Sequence, residues 1–113
     1  MASGYREQLE FIAKKCGEKT LLLALAEEAA ELAQAALKLR RVVYERKKDP
    51  SPVSEKEACE NLIEEMADAL TAIDAVRLEW ARTRGEADNA ILHQQFKKAR
   101  RWEKRIRNAK ESV

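Results

Sequence analysis

The chain of 113 residues contains only 3 glycines, 2 prolines and 5% aromatic residues. Glycine and proline mark turns, so their scarcity argues against a fold of many short, tightly connected segments. The chain is instead rich in Ala, Leu, Glu, Lys and Arg, which have high helix propensity. A chain of this length supports one hydrophobic core rather than two. We therefore expect a single all-α domain over residues 1–113.

The sequence also lacks long apolar runs and patterned cysteines. No stretch approaches the roughly 18 apolar residues that a membrane span requires, and the first residues lack the apolar segment and cleavage site of a signal peptide. Cys16 and Cys59 form no CxxC pair, which favours free thiols in a reducing compartment. We expect a cytoplasmic protein with no membrane partner.

Helical periodicity predicts four helices, one short and three long. The first helix is predicted to end near Lys15, just before Gly17, and the second to begin near Glu18 and end between Arg41 and Lys47. The third is predicted to end near Thr83, and the fourth to begin near Glu86. Glycine in a left-handed conformation ends helices, and the proline-containing stretch after Lys47 interrupts the pattern.

The third helix has two possible starts. Either Ser51 caps it with Pro52 in the first turn, or Ser54 caps it with Glu57 completing a capping box. If it starts at Ser54 while the second helix continues to Lys47, the acidic pairs described next differ in level by about 8 Å. That offset is too large for a shared ion. Either the second helix ends before Lys47 or the third begins at Ser51.

Charged residues occupy the apolar stripe of the second helix, in the stretch LLLALAEEAAELAQAALKL from Leu21 to Leu39. At about 100° per residue, the leucines fall on one side of Glu28 within about 60°, and Glu31 falls close on the other, so Glu28 and Glu31 are both predicted to lie on the buried stripe. A salt-bridged surface helix would place these carboxylates opposite the leucines.

The third helix repeats this arrangement, because Glu65 falls among alanines and leucines and Asp68 follows one turn later. Four carboxylates facing one another repel and lose hydration, so they require a counter-charge. Hard oxygen ligands suit Mg²⁺ or Mn²⁺. The sequence therefore predicts a metal site on these two helices.

These residues are similar to a known family. The pattern EExxE at Glu27, Glu28 and Glu31, followed by ExxD at Glu65 and Asp68, resembles the all-α nucleoside triphosphate pyrophosphohydrolases of the MazG-like superfamily. The resemblance also includes Gly17-Glu18, Ala35, Lys38-Leu39-Arg40, and a basic ending at Lys98, Arg101, Arg105 and Ile106. It covers roughly residues 17–106, and 33 residues separate Glu31 from Glu65, a longer gap than the commonest form of the motif.

The resemblance implies hydrolysis of a nucleoside triphosphate between its α and β phosphates, which gives a monophosphate and pyrophosphate. It implies Mg²⁺, or alternatively Mn²⁺, bound by Glu28, Glu31, Glu65 and Asp68. It also implies a homodimer or homotetramer, which fits an antiparallel helical bundle with an oligomeric, four-helix-type core.

Further residues have both a functional and a structural interpretation. Glu27 lies about 100° around the helix from Glu28 and is a candidate general base at the rim of the site, or a residue that supports the metal ligands. Lys98, Arg101 and Arg105 are candidate ligands of the outer phosphates, or form a solvated basic face. Asn61 is a candidate hydrogen-bonding residue, or a polar residue at a helix margin.

A di-iron carboxylate bundle and a non-catalytic binding module are alternatives to this enzyme. A di-iron bundle requires Glu-x-x-His on two helices, but the chain has one histidine, His93, preceded three residues earlier by Ala90. A non-catalytic nucleic-acid- or protein-binding module would use residues 97–110, which carry eight basic residues and one acid. That module leaves the buried acids unexplained, and we do not expect nucleic acid as a partner. Trp80 and Trp102 are expected in the core or at a subunit interface.

Overall fold

The computed structural model describes the backbone of residues 2–112 and the side chains of residues 4–109. Within this range the chain forms three helices, α1 (Ala2–Tyr44), α2 (Glu55–Thr83) and α3 (Ala87–Ser112), and no strands. The all-α prediction is therefore confirmed for the described residues. The predicted count of four helices is wrong, because no loop separates the first two predicted helices at Gly17.

Two helical arms of α1 meet at Gly17, whose φ of 76° and ψ of 169° are not helical. This backbone region is essentially restricted to glycine. On the first arm, the Tyr5 hydroxyl donates a hydrogen bond of 2.7 Å to Asp74 Oδ2 on α2. A straight α1 would carry Tyr5 about 20 Å or more past the level of Asp74. The break at Gly17 thus redirects the first arm, on which Leu9 and Ala13 are buried.

The connection between α1 and α2 decides between the two predicted starts of the latter helix. Ser54 precedes α2, and its Oγ accepts a hydrogen bond of 3.1 Å from the backbone N–H of Glu57. The first helix ends at Tyr44, before Lys47. The structure therefore has the Ser54 cap together with the shorter preceding helix, the combination that keeps the two acidic pairs nearly level.

Small apolar side chains form much of the buried surface between α1 and α2. Ala35 is 2% exposed and Ala58 is 0% exposed. The other buried apolar residues of these two helices are Leu21, Val42, Ala69, Ala75 and Val76, in addition to those of the first arm. Because interaxial distance depends on side-chain size at the contact, alanines allow α1 and α2 to approach closely. Side chains flanking these alanines are consequently within reach of one another.

The chain divides into two compact units, one up to Glu79 and the other from Trp80 onward. In the second unit, Gly85 has a φ of 51°, which fits the predicted stop after Thr83. Trp80 is half-buried, and the Arg84 guanidinium lies 5.3 Å from its ring centroid. Trp102 is 64% exposed, so within one chain it does not belong to the core.

Two further expectations from the sequence concern the membrane and the cysteines. None of the helices described is both long enough and apolar enough to cross a membrane. Cys16 and Cys59 are both free thiols, as predicted.

Candidate metal centre

Four carboxylates from two helices converge in the first unit. Each of Glu28, Glu31, Glu65 and Asp68 offers one carboxylate oxygen, and these four oxygens all lie within 4.8 Å of one another. We call these residues the acid cluster. Their spacing explains the convergence, because the i, i+3 positions on each helix point to one face. The predicted convergence of the two acidic pairs is confirmed.

The acid cluster has a buried floor and an open rim. Glu28 and Glu65 are half-buried, and the Oε2 atom of each is buried without a hydrogen-bond partner. Glu31 and Asp68 are exposed, so the prediction that Glu31 lies on the buried stripe with Glu28 is wrong. Buried carboxylate oxygens normally have a partner, so two unpartnered ones at the same place indicate a missing counter-charge. The exposed rim leaves the other side open to a ligand.

The electrostatics of the floor follow from this placement. Loss of hydration raises the pKa of the Glu28 carboxyl above its ordinary value, and the negative charges of Glu31 and Asp68 raise it further. Loss of hydration is also the largest cause that raises the pKa of Glu65. Interactions with Glu31 raise it next, and then the charge of Asp68. Both groups therefore resist carrying their charge without a cation.

The donor set fits a hard divalent cation. All four ligands are carboxylate oxygens, as Mg²⁺ and Mn²⁺ prefer, and the set lacks the nitrogen and sulfur donors that favour softer metals. Opposite ligands of an octahedral Mg²⁺ at about 2.1 Å lie about 4 Å apart. The four carboxylate oxygens lie within 4.8 Å of one another, which is slightly more than this separation. A small change of side-chain rotamer can close the difference.

The remaining predicted site residues lie outside the acid cluster. Glu27 is exposed beside Glu28, and its charge contributes to the raised Glu28 pKa. Asn61 is half-buried on α2, one turn before Glu65. The three predicted phosphate ligands, Lys98, Arg101 and Arg105, are exposed on α3 in the second unit, whereas the acid cluster belongs to the first. The functional roles of these five residues stay predictions.

Sequence reasoning missed the contact between Tyr5 and Asp74. The hydrogen bond to Asp74 and burial raise the pKa of the Tyr5 hydroxyl, while a bond with Thr71 lowers it. Asp74 is two turns beyond Asp68 on α2, so this contact anchors the first arm near the acid cluster. No local pattern signals it, because the two residues are 69 positions apart and meet only once Gly17 has turned the chain.

His93 is exposed on α3 in the second unit, while the acid cluster of the first unit contains carboxylates alone. The arrangement therefore does not match a di-iron site with paired histidines. Comparison of the chain with family models, with curated proteins and with solved structures finds no match.

Proposed function

We propose that this protein is a divalent-metal-dependent nucleoside triphosphate pyrophosphohydrolase of the MazG-like type. The observation that carries the proposal is the acid cluster, in which two helices bring four carboxylates within 4.8 Å and leave two buried oxygens unpartnered. Such a cluster is costly for folding, so a ligand-binding role accounts for it better than a structural one. The order and spacing of the acids add the resemblance described above.

In this proposal the acid cluster holds Mg²⁺, or alternatively Mn²⁺. When bound, such an ion would neutralise phosphate charge and would lower the pKa of a water molecule beside it. Glu28 and Glu65 bind from the floor, while Glu31 and Asp68 bind from the open rim. Their positions on two helices would hold the metal and its phosphate ligand in place with only small side-chain adjustments.

Protein groups around the cluster supply the remaining chemistry. Glu27, exposed next to Glu28, accepts the proton of the attacking water as general base. The water oxygen bonds to the α phosphorus, and the bond from that phosphorus to the bridging oxygen breaks. The products are a nucleoside monophosphate and pyrophosphate. The resemblance adds Lys98, Arg101 and Arg105 as candidate ligands of the outer phosphates, and Asn61 as a candidate hydrogen-bonding residue for a carboxylate or the nucleotide.

We further propose that the chain forms a homodimer or homotetramer with an antiparallel four-helix-type core. Apolar residues lie exposed on the outer side of α2 with a spacing of three and four residues, as in helices that pack on a partner. These residues, which we call the outer stripe, are Ile63, Met66, Leu70 and Ile73. On α1, Leu23 and Leu37 are each 61% exposed. A partner chain packed on these residues would remove them from water.

The test incubates pure protein with a panel of nucleoside and deoxynucleoside triphosphates and Mg²⁺. We expect equal amounts of monophosphate and pyrophosphate, and no turnover when the metal is chelated. Release of orthophosphate with a diphosphate, or no turnover of any triphosphate, would contradict the proposal. Salt-sensitive binding of nucleic acid without turnover would favour the binding module instead.

Site variants make the test specific. Glu65→Gln and Asp68→Asn should lower turnover by more than about 100-fold, since changing even the outer partners of metal ligands costs about 10–100-fold. Glu60→Gln is the matched control, because Glu60 is exposed on the same helix and lies about 140° away from Glu65. Circular dichroism should show the same helix content in all three variants.

A further inference from the structure

A groove in the second unit lies between the end of α2 and one face of α3. It has a volume of about 610 Å³, within the range of about 300–1,000 Å³ that small-molecule sites occupy. Alanine and isoleucine side chains form part of its wall, and the larger or polar residues that line it are Trp80, Gln94, Gln95, Lys98 and Trp102. All of them belong to the unit that begins at Trp80. We call this feature the tryptophan groove.

Both indole rings of the protein line the tryptophan groove, since the chain contains only two tryptophans. Trp102 is exposed. Trp80 is half-buried, with the Arg84 guanidinium 5.3 Å from its ring centroid. Indole rings stack on any nucleobase, because every base has a π-face. The groove therefore offers aromatic surface to a flat heteroaromatic ring.

Two amides and one ammonium group interrupt this apolar surface. Gln95, Lys98 and Trp102 lie three and four residues apart, so their side chains share one face of α3. Gln94 and Gln95 are exposed, and an amide both donates and accepts hydrogen bonds, as the edge of a nucleobase does. Among the described residues that line the groove, Lys98 alone is charged. The groove consequently complements an anion.

These polar groups decide between a small ligand and a second helix as the occupant of the groove. An apolar helix packed on it would remove two amides and an ammonium group from water without giving them hydrogen-bond partners, which costs free energy. A neutral sugar would leave Lys98 without a counter-charge. A nucleotide matches all three features, because its base stacks on an indole, its edge bonds an amide and its phosphate pairs with the ammonium group.

We propose that the tryptophan groove binds a free nucleoside monophosphate without a divalent metal. The base lies against Trp102 with its edge at Gln95, and the phosphate lies at Lys98, which then does not serve the outer phosphates of a triphosphate. One ammonium group matches one phosphate. No carboxylate is found among the described residues of the lining, so the groove offers no charged ligand to Mg²⁺. The inference is independent of the proposed function, because it uses no residue of the acid cluster.

Intrinsic fluorescence tests this proposal, because both tryptophans of the chain line the groove. The full chain in chelator is titrated with adenosine monophosphate and with guanosine monophosphate, and free tryptophan corrects for light that the nucleotides absorb. We expect saturable quenching. Trp102→Ala should weaken binding about tenfold or more, as for the loss of a stacked base, and Trp102→Phe should recover part of the loss. Gln95→Leu should also weaken binding, because the base edge loses its partner.

The matched control for Trp102→Ala is Phe96→Ala. Phe96 is likewise an exposed aromatic residue of α3, and it is not among the residues that line the groove. Its variant should bind both monophosphates as the wild type does. Equal weakening by Phe96→Ala and Trp102→Ala would contradict a site built on the groove.

Further measurements separate the tryptophan groove from the acid cluster and from other occupants. Quenching that persists in chelator and in Glu65→Gln supports the groove, whether or not the protein turns over triphosphates. Binding that requires Mg²⁺, or that Glu65→Gln abolishes, would place the nucleotide at the acid cluster and overturn the proposal. Tighter binding of a single-stranded oligonucleotide would assign the groove to nucleic acid instead. Absence of quenching by either monophosphate, as expected if a second copy covers the groove, would overturn the proposal as well.

Discussion

At the scale of single residues, the acid cluster opposes folding in the absence of a cation. The pKa values of Glu28 and Glu65 are raised in the folded chain, so the folded state binds protons more readily than the unfolded state. In metal-free buffer, protonation of these two carboxyls stabilises the folded state, and this stabilisation is fully present below the ordinary carboxyl pKa. It is lost as the pH rises through their raised pKa values. We therefore expect the metal-free protein to melt at a lower temperature at pH 8 than at pH 5.

Removing one of these charges should stabilise the metal-free protein. Glu65→Gln keeps the shape of the side chain and abolishes its charge, so we expect a higher melting temperature at pH 8 in chelator and a flatter pH profile. The same variant should lose the stabilisation that Mg²⁺ gives the wild type, which at a hundredfold excess over Kd amounts to about 2.7 kcal/mol. Thermal melts with and without Mg²⁺ measure both effects.

Glu60→Gln is again the control, and it should follow the wild type in both buffers. A melting temperature of Glu65→Gln below that of the wild type in chelator would show that Glu65 stabilises the fold and would contradict the crowding argument.

The acid cluster was predictable from the sequence because helical periodicity is local information. Glu28 and Glu65 fall on apolar stripes, and that violation of the normal pattern identifies a buried charge before any contact is known. The exposure of Glu31 was less predictable, because helical periodicity gives the direction of a side chain but not how far the neighbouring helix covers it.

At the scale of helices, the break in α1 depends on one backbone conformation. Gly17 has a φ of 76° with no atom near the position of an added Cβ, so Gly17→Ala should cost only backbone strain, about 1–3 kcal/mol. Gly4 is the matched control, because it lies inside the first arm with open space around it. Gly4→Ala should stabilise by about 0.5–1 kcal/mol.

Urea denaturation measures both changes. If Gly17→Ala were as stable as the wild type, α1 would tolerate a continuous helix at this point, and the placement of Tyr5 against Asp74 would not require the glycine.

Local signals in the sequence predict the helix boundaries, but they do not predict the packing of the first arm of α1. The cap formed by Ser54 and Glu57 is one of the two alternatives that the sequence predicts. With this cap, the requirement that the acidic pairs lie at the same level excludes a preceding helix that continues to Lys47. In contrast, the sequence shows that a helix ends or breaks at Gly17 but not which of these happens. That outcome depends on tertiary contacts such as the bond from Tyr5 to Asp74.

At the scale of the whole molecule, the exposed outer stripe of α2 predicts self-association. We expect light scattering to give about twice or four times the mass of one chain. Leu70 is 57% exposed at the middle of the outer stripe, and a charge there would have to be desolvated in an interface. Leu70→Glu should therefore shift the protein to the monomer.

Leu92→Glu is the control for Leu70→Glu. Leu92 is similarly exposed, at 44%, but lies on α3 and outside the outer stripe. If the wild type is a monomer at all concentrations, or Leu70→Glu leaves the oligomer intact, the outer stripe is not the contact between copies. Oligomeric state was the least predictable property, because complementarity between two surfaces has no periodicity in a single sequence.

The loop between the two helices has a consequence for how such chains are recognised. Each acidic pair is fixed by positions within one helix, so an insertion inside α1 or α2 rotates one pair away from the other by about 100° per residue. An insertion at residues 45–54 leaves both pairs in register and lengthens only the linker. A protein that uses the same site is therefore expected to keep the spacing within each acidic pair and to differ in the length of the segment between them.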